Sequence, residues 1–116
     1  MPYWKVLWRM NDDKTRLLSM LALARKAGKV ITGGDSCEKA IKDGKAQLVF
    51  LASDTSPNTQ KKIRDKTTFY KTPLSEIFTK EDLNQIGLEN RVTLAVVDEN
   101  FSKKMTELIK VLEPDL

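Results

Sequence analysis

The sequence predicts an α/β fold in which helices cover both faces of a small, mostly parallel sheet. Segments with apolar residues at helical spacing alternate along the chain with short apolar runs, which is the order that strand–helix–strand units produce. Two of the runs, 47–52 and 91–97, are dominated by apolar residues, as in strands buried on both faces. The 116 residues suit one domain with its own core.

The first half of the chain predicts two helices on either side of a short strand. Residues 14–26 carry an apolar stripe at helical spacing and precede a glycine that suits a helix end. Residues 30–31 predict a very short strand, and 32–36 a tight turn that leads into a second helix ending at 43–44. The buried strand 47–52 then follows.

The second half continues the alternation. A polar third helix over about 57–67 opens with a Ser-Pro pair, in which serine caps the helix and proline suits its first position. Residues 68–72 predict a strand, and a short helix begins at Ser75 or Thr79. After the second buried strand, apolar residues at helical spacing predict a last helix over 101–112.

Charge is distributed unevenly along the chain. Residues 1–75 hold 15 Lys and Arg against 7 Asp and Glu, a net charge of +8, whereas residues 76–116 hold 5 against 9, a net charge of −4. A basic front half predicts an anionic partner such as a nucleic acid. A basic face that serves solubility alone explains the same charge, so both interpretations stay open on charge alone.

The residue types that are missing exclude several classes of enzyme. The chain has no histidine, which excludes histidine acid–base catalysis, a serine–histidine–aspartate triad and histidine–metal sites. Cys37 is the one cysteine, so neither an internal disulfide nor a thiolate zinc site can form within one chain. A magnesium-dependent carboxylate site stays open, with no residue pattern in its favour. We therefore expect no catalytic residue, no metal, no cofactor and no enzymatic activity.

The sequence also predicts a cytoplasmic protein with an atypical front. No apolar run approaches the ~18 residues of a membrane span, and the single cysteine fits a reducing compartment. Residues 1–10 hold both tryptophans and are too short for a signal peptide. We interpret 1–10 as an atypical N-terminal tail and 11–116 as a single domain. Met10 is a candidate true start, with 1–9 an over-extended reading or a flexible tail, and a short membrane-surface or partner-binding arm is the alternative.

A glycine-rich turn is the first candidate for a binding site. Thr32-Gly33-Gly34-Asp35 stands between a strand and the start of a helix, where free N–H groups and the helix dipole suit an anion. Lys39 and Lys42 follow on the first turns of that helix, where they can meet phosphates. The alternative is a tight turn that needs glycine for its backbone alone.

Several segments in the same order resemble one known family. Residues 21–28, 34–41, 46–54 and 56–73 are similar to the bacterial YlxQ-type proteins of the ribosomal protein L7Ae family, which binds kink-turn RNA. The resemblance implies a three-layer α-β-α sandwich around a four-stranded, mixed but mostly parallel sheet. It also implies a noncatalytic, ribosome-associated monomer. Its partners would be structured RNA, ribosomal or kink-turn-like, and ribosomal proteins are further candidates.

The same resemblance implies two RNA contacts. In kink-turn binders a Gly-x-Asn-Glu-x-x-Lys stretch opens the second helix, and here Asp35 and Ser36 replace its asparagine and glutamate. The second contact is an apolar loop before the last strand that covers a splayed nucleotide. An alternative role for this loop's apolar side chains is to anchor it to the core. The implied RNA-binding residues are Gly33, Gly34, Asp35, Ser36, Lys39, Lys42, Ile86, Gly87, Leu88 and Arg91.

The two replacements change the chemistry of the first contact and support a second hypothesis. An asparagine amide donates to a base, whereas an ionised Asp35 only accepts, and Ser36 is shorter than the glutamate. A protein-interaction or ribosome-assembly module with the same fold, which contacts a partner through the charged third helix, is therefore the alternative function.

Overall fold

The chain alternates helices and strands, as the sequence predicts. The computed structural model describes the backbone of residues 3–113 and the side chains of residues 13–113. The helices are α1 (Tyr3–Lys26), α2 (Gly34–Lys42), α3 (Pro57–Phe69), α4 (Lys80–Gln85) and α5 (Glu99–Leu112). The strands are β1 (Val30–Thr32), β2 (Leu48–Leu51), β3 (Leu74–Ser75) and β4 (Thr93–Val96). None of the described helices is long and apolar enough to cross a membrane.

The two faces of the sheet carry two separate clusters of buried side chains. Successive residues of a strand point to opposite faces, so Phe50 and Leu94 pack among α1, α4 and α5, whereas Val49 and Ala95 pack among α2 and α3. Every residue of β2 and β4 is buried. The predicted α-β-α sandwich and the two strands buried on both faces are thus confirmed.

The strand order is β1-β4-β2-β3, and the prediction of a mostly parallel sheet is wrong in this detail. The first three strands do run in one direction, as strand–helix–strand units require. However, β4 lies between β1 and β2 and is antiparallel to both, with Val30 opposite Val96 and Leu48 opposite the same residue. Only the β2–β3 pair is parallel among the described ladders.

The direction of β4 follows from the path of the connection that precedes it. This connection, residues 76–92, stays near the end of β2, where the Ser53 N–H donates to the Phe78 carbonyl at 2.9 Å. The Ala52 N–H donates to the Val92 carbonyl at 2.8 Å, so β4 begins at the edge where β2 ends. The chain therefore enters β4 against the direction of its neighbours.

The predicted strand at 68–72 is also wrong, because α3 continues through Phe69. The Tyr70 N–H donates to the Lys66 carbonyl at 3.0 Å, which extends the helical bonding beyond the predicted end. Lys71 then takes a positive φ of 57° and turns the chain. The strand β3 begins only after Pro73, so Ser75 lies in β3 and does not start a helix.

Side-chain caps explain where three of the helices begin. Ser56 accepts from the Thr59 N–H at the start of α3, and Asp98 accepts from the Phe101 N–H at the start of α5. Thr79 and Asp82 form a reciprocal capping box at the start of α4. This confirms Thr79 as the start of the short helix.

The helix α1 begins at Tyr3, well before the predicted start at residue 14. It passes through most of the segment 1–10 that we interpret as a tail. Residues 1 and 2, and the side chains of 1–12, lie outside the described part of the chain. The division into a tail and a domain at 11–116 therefore stays a prediction.

Candidate nucleic-acid interface

The turn between β1 and α2 depends on the backbone of Gly33. This residue has φ 98° and ψ 145°, a conformation that side chains strongly disfavour. Its N–H donates to the Thr93 carbonyl at 3.1 Å, and its carbonyl accepts from the Cys37 N–H at 2.9 Å. Gly33 thus joins the end of β1, the first turn of α2 and the start of β4.

The start of α2 presents exposed backbone to solvent. Gly34, Asp35 and Ser36 are all exposed, and a methyl group at Gly34 would meet no atom within 4 Å. Gly33 provides no side-chain cap for the helix, so the first-turn N–H groups keep their capacity to donate to a ligand. The dipole of the nine-residue helix adds positive potential at this end.

Lys39 continues the surface along α2. It lines an open depression of about 300 Å³ together with Ser36, Asp43 and Lys45. Lys42 is exposed, but it is the last residue of α2 and lies about 12 Å along the helix from Gly34, so the expectation that it stands on the first turns is wrong. The structure therefore places Lys39 one turn beyond the predicted turn residues, with a carboxylate of Asp43 beside it, and Lys42 at the opposite end of the helix.

The loop between α4 and β4 adjoins this turn through Arg91. A methyl group at Gly33 would lie 3.5 Å from Nη1 of Arg91, so the guanidinium stands over the glycine backbone. Arg91 is exposed and also lines a depression of about 260 Å³ with Lys80, Asn84 and Asn90. Two amides and two cations therefore meet beside the turn, which sequence reasoning did not predict because Lys80 and Asn84 belong to another element.

A second arginine covers the other glycine of the predicted interface. Gly87 has φ 82°, and a methyl group there would lie 3.4 Å from Nη1 of Arg25, on α1. Sequence reasoning did not include Arg25 among the candidate binding residues and missed this contact. The Arg-Lys-Ala-Gly end of α1, which belongs to the family resemblance, was the available signal.

The apolar residues of the loop have a structural role. Leu88 is 1% exposed and belongs to the core cluster of α1, α4 and α5, and Ile86 is half-buried against the same cluster. The Leu88 N–H donates to the Leu83 carbonyl at 3.0 Å. Leu88 therefore fits the anchoring alternative, and within the predicted apolar segment 86–88 Gly87 and the outer part of Ile86 are accessible to a ligand.

Cations dominate the accessible side chains of this surface. Arg25, Lys39 and Arg91 form no ion pair with any residue whose side chain is described. The described cations that do form ion pairs are Lys14, Arg16, Lys62 and Arg64. Asp35, Asp43 and Glu89 are exposed acids on or beside this surface, and Asp35 lies in the first turn of α2, where a negative charge is favourable to the helix dipole.

Cys37 lies behind the turn and supports it. Its side chain is fully buried, and the thiol donates to the Ile31 and Thr93 carbonyls at 3.3 and 3.5 Å. Burial raises the pKa of this thiol to about 12. The cysteine is therefore a packed core residue with no nucleophilic character at neutral pH. No cluster of metal-ligating side chains occurs within the described part of the chain.

Fold and interface together define an α-β-α module with a cationic, glycine-containing edge where the turn after β1 meets the loop before β4. Residues 15–106 match the ribosomal protein L7Ae/L30e/S12e/Gadd45 family, and the chain belongs to this family.

Individual relatives cover nearly the same region. The chain is 37% identical over 102 residues to the RNA-binding protein YlxQ of Enterococcus faecium, an alignment of 87% of this chain and 99% of the relative. It is 41% identical over 91 residues to the RNA-binding protein YlxQ of Bacillus subtilis (strain 168), covering 78% and 91% of the two chains.

Solved structures share the fold. A protein of unknown function from Bacillus halodurans has a TM-score of 0.76 and 37% identity, covering 81% of this chain and 96% of that one. The 15.5 kD RNA-binding protein of Giardia lamblia has a TM-score of 0.73 over 89% of both chains, and its 17% identity makes it a likeness of fold.

Proposed function

We propose that the protein binds structured RNA, without catalysis, through the surface formed by the β1–α2 turn and the α4–β4 loop. The observation that carries the proposal is the position of Arg91 beside Gly33, at the exposed start of α2. Free N–H groups, a helix dipole and a guanidinium that pairs with no described carboxylate all favour phosphate there. The two bacterial relatives named as RNA-binding proteins support the same class of ligand.

The preferred RNA is one with an internal loop or a kink, in which the backbone is bent and bases are unpaired. Such RNA offers a widened groove that a helix end can enter, whereas an A-form duplex hides its base edges. Asp35 and Ser36 weaken the contact to bases that the family's kink-turn binders make, because the first only accepts hydrogen bonds and the second is short. We therefore expect a preference for kinked RNA that is smaller than in strict kink-turn binders.

A binding titration tests this proposal. Fluorescence anisotropy would compare a kink-turn RNA, an internal-loop RNA and a plain duplex at about 50 and 200 mM salt. We expect Arg91→Ala and Lys39→Ala to weaken binding to the first two RNAs by about tenfold, and Lys103→Ala, which removes an exposed charge from α5, to leave it unchanged. Absence of binding to every RNA would refute the function, and equal binding to all three would refute the preference for kinked RNA.

We further propose that the protein acts as a monomer in the cytoplasm in association with the ribosome. The family description, which names ribosomal proteins, supports the association. Sedimentation of a cell lysate through a sucrose gradient would test it. We expect the wild-type protein in ribosomal fractions and Arg91→Ala at the top of the gradient.

A further inference from the structure

We propose a second RNA-contact site at the end of α3. There an unpaired base stacks on Phe69, and the side chains of Lys66 and Lys71 contact the flanking phosphates. This proposal extends the RNA binding proposed above, but it concerns single-stranded RNA and a different surface. The fold leaves an aromatic pair in solvent at this end of α3.

Phe69 is 77% exposed and Tyr70 is 37% exposed, at the last residue and the cap of α3. Their rings lie edge to face, with centroids 4.9 Å apart and planes at 75°. Leaving a phenylalanine in water forgoes about 1.5–3 kcal/mol of burial. Large apolar side chains that are exposed together commonly mark a binding surface.

The backbone keeps Phe69 pointing outward. Ile63 and Thr67 occupy the buried stripe of α3, and the Thr67 hydroxyl donates to the Ile63 carbonyl at 2.9 Å. Residues advance about 100° each around a helix, so Phe69 lies roughly opposite Thr67. The Thr72 N–H donates to the Thr67 carbonyl at 2.8 Å, which fixes the turn that follows. Both aromatic rings are therefore accessible to a ligand without a rearrangement of the backbone.

An open depression of about 460 Å³ adjoins the rings. It is lined by Glu38, Lys62, Asp65, Lys66, Phe69 and Tyr70. Its volume falls in the range of about 300–1,000 Å³ that is usual for small-ligand clefts. Apolar ring faces, two lysines and two carboxylates thus border one shallow cleft, and the Glu38 carboxylate is paired with Lys62. The ring faces suit a flat group, and the charge of the occupant is decided by the wider surface.

Charge favours an anionic occupant. Residues 61–71 contain five cations and one acid. Lys62 pairs with Glu38 at 3.3 Å and Arg64 pairs with Glu76 at 2.8 Å. Lys61, Lys66 and Lys71 form no ion pair with a described side chain, and Asp65 is the remaining acid. The surface therefore keeps a net positive charge of +2 after its ion pairs are counted.

An unpaired RNA strand matches both the exposed aromatic rings and the net positive charge of this surface. Proteins that bind single strands combine stacking aromatic rings with a basic surface along the backbone, and each stacked base contributes substantially to affinity. A purely apolar protein segment would leave the three lysines without partners. An acidic protein segment is the competing occupant, and the experiment below distinguishes it.

The two sites lie at opposite edges of the sheet. The Gly33 turn lies where β2 ends, whereas the Val49 N–H donates to the Pro73 carbonyl at 2.9 Å, so the residues after Tyr70 meet the start of β2. The 13 residues of α3 span about 20 Å between these edges. Each site can therefore be disabled without touching the other.

The test measures binding of a fluorescent single-stranded RNA of about ten nucleotides and, separately, of a closed kink-turn RNA without unpaired ends. We expect Phe69→Ala to weaken binding of the single strand by about 5- to 100-fold, Phe69→Leu to weaken it similarly, and Phe69→Trp to retain it. The closed RNA should bind all three variants like the wild type, and Arg91→Ala should show the reverse pattern. Thermal unfolding should be unchanged in each Phe69 variant, because the side chain is exposed.

A failure of the second RNA-contact site can be distinguished from a failure of the proposed function. If Phe69→Ala binds the single strand as tightly as the wild type, the second site is refuted while the Arg91 result still decides the proposed function. If Phe69→Ala instead abolishes a ribonuclease-resistant complex with a cellular protein and leaves RNA affinity unchanged, the surface is a protein-docking site and the RNA proposal is overturned.

Discussion

At the residue scale, the proposed interface depends on two glycines that stand under two arginines. Gly33 and Gly87 both have positive φ, and the guanidinium groups of Arg91 and Arg25 approach them closely enough that a side chain would be in contact. These contacts link three segments that are distant in sequence. The glycines thereby position cations at the interface besides permitting the turns.

Gly33→Ala should destabilise the protein by about 1–3 kcal/mol, because alanine must adopt a strained backbone conformation there. Gly34→Ala is the matched control, since Gly34 lies in α2 without a positive φ and with open space around it. We expect this control to leave stability unchanged or slightly raised. Urea unfolding of both variants measures the difference. Equal stabilities for the two variants would contradict the role assigned to Gly33.

At the element scale, α4 positions the loop that carries Gly87 and Arg91. Asp82 accepts from the Thr79 N–H at 2.9 Å and pairs with Lys14 of α1 at 3.2 Å. Partial burial raises the pKa of Asp82, but the Thr79 hydrogen bond and Lys14 outweigh it, and the pKa is lowered overall. The Asp82 carboxylate therefore both caps α4 and joins it to α1.

Asp82→Asn should destabilise the protein by about 1 kcal/mol at neutral pH, because the cap loses its charge. Glu81→Gln, in the same first turn of α4, should change stability by less than about 0.5 kcal/mol.

The same prediction has a pH dependence with a definite sign. Folding lowers the pKa of Asp82, so its carboxylate stabilises the folded state at pH values above its unfolded pKa of 3.8. This contribution to the free energy of unfolding is lost as the pH falls through the lower pKa of the folded state. The difference between wild type and Asp82→Asn in urea unfolding should therefore shrink as the pH is lowered below about 4. A difference that stays constant down to about pH 2 would contradict this account.

Among the helices and strands, local sequence propensity predicted the wrong structure at the end of α3. The β-branched and aromatic residues at 68–72 have strand propensity, yet helical hydrogen bonds continue to Tyr70. Buried strands and capped helices were predictable, because their signals are apolar spacing and cap residues within one segment. The tertiary setting overrode weaker propensities at the end of α3, which is also where the exposed aromatic pair lies.

At the scale of the whole molecule, cations without a described ion-pair partner stand on both proposed RNA-binding surfaces. Arg25, Lys39 and Arg91 stand at one edge of the sheet and Lys66 and Lys71 on the side of α3, none of them paired with a described side chain. Phosphate contacts release counterions, so the affinity for RNA should fall steeply with salt.

Lys39→Ala should reduce the slope of log affinity against log salt by about one for kink-turn RNA. Lys103→Ala on α5 should leave the slope unchanged, because that lysine lies away from both proposed surfaces. Anisotropy titrations at four or more salt concentrations give the two slopes. An unchanged slope for Lys39→Ala would show that this lysine does not contact phosphate.

The α/β class, the two buried strands, the serine cap of α3 and the family resemblance were predictable from the sequence alone. These properties depend on residues close together along the chain, whose periodicity reflects which face is buried. Three features became evident only in the folded molecule: β4 runs antiparallel between β1 and β2, Leu88 anchors its loop, and Arg25 reaches Gly87. They depend on the path of the connection before β4 and on contacts between distant segments, and local spacing carries no information about either.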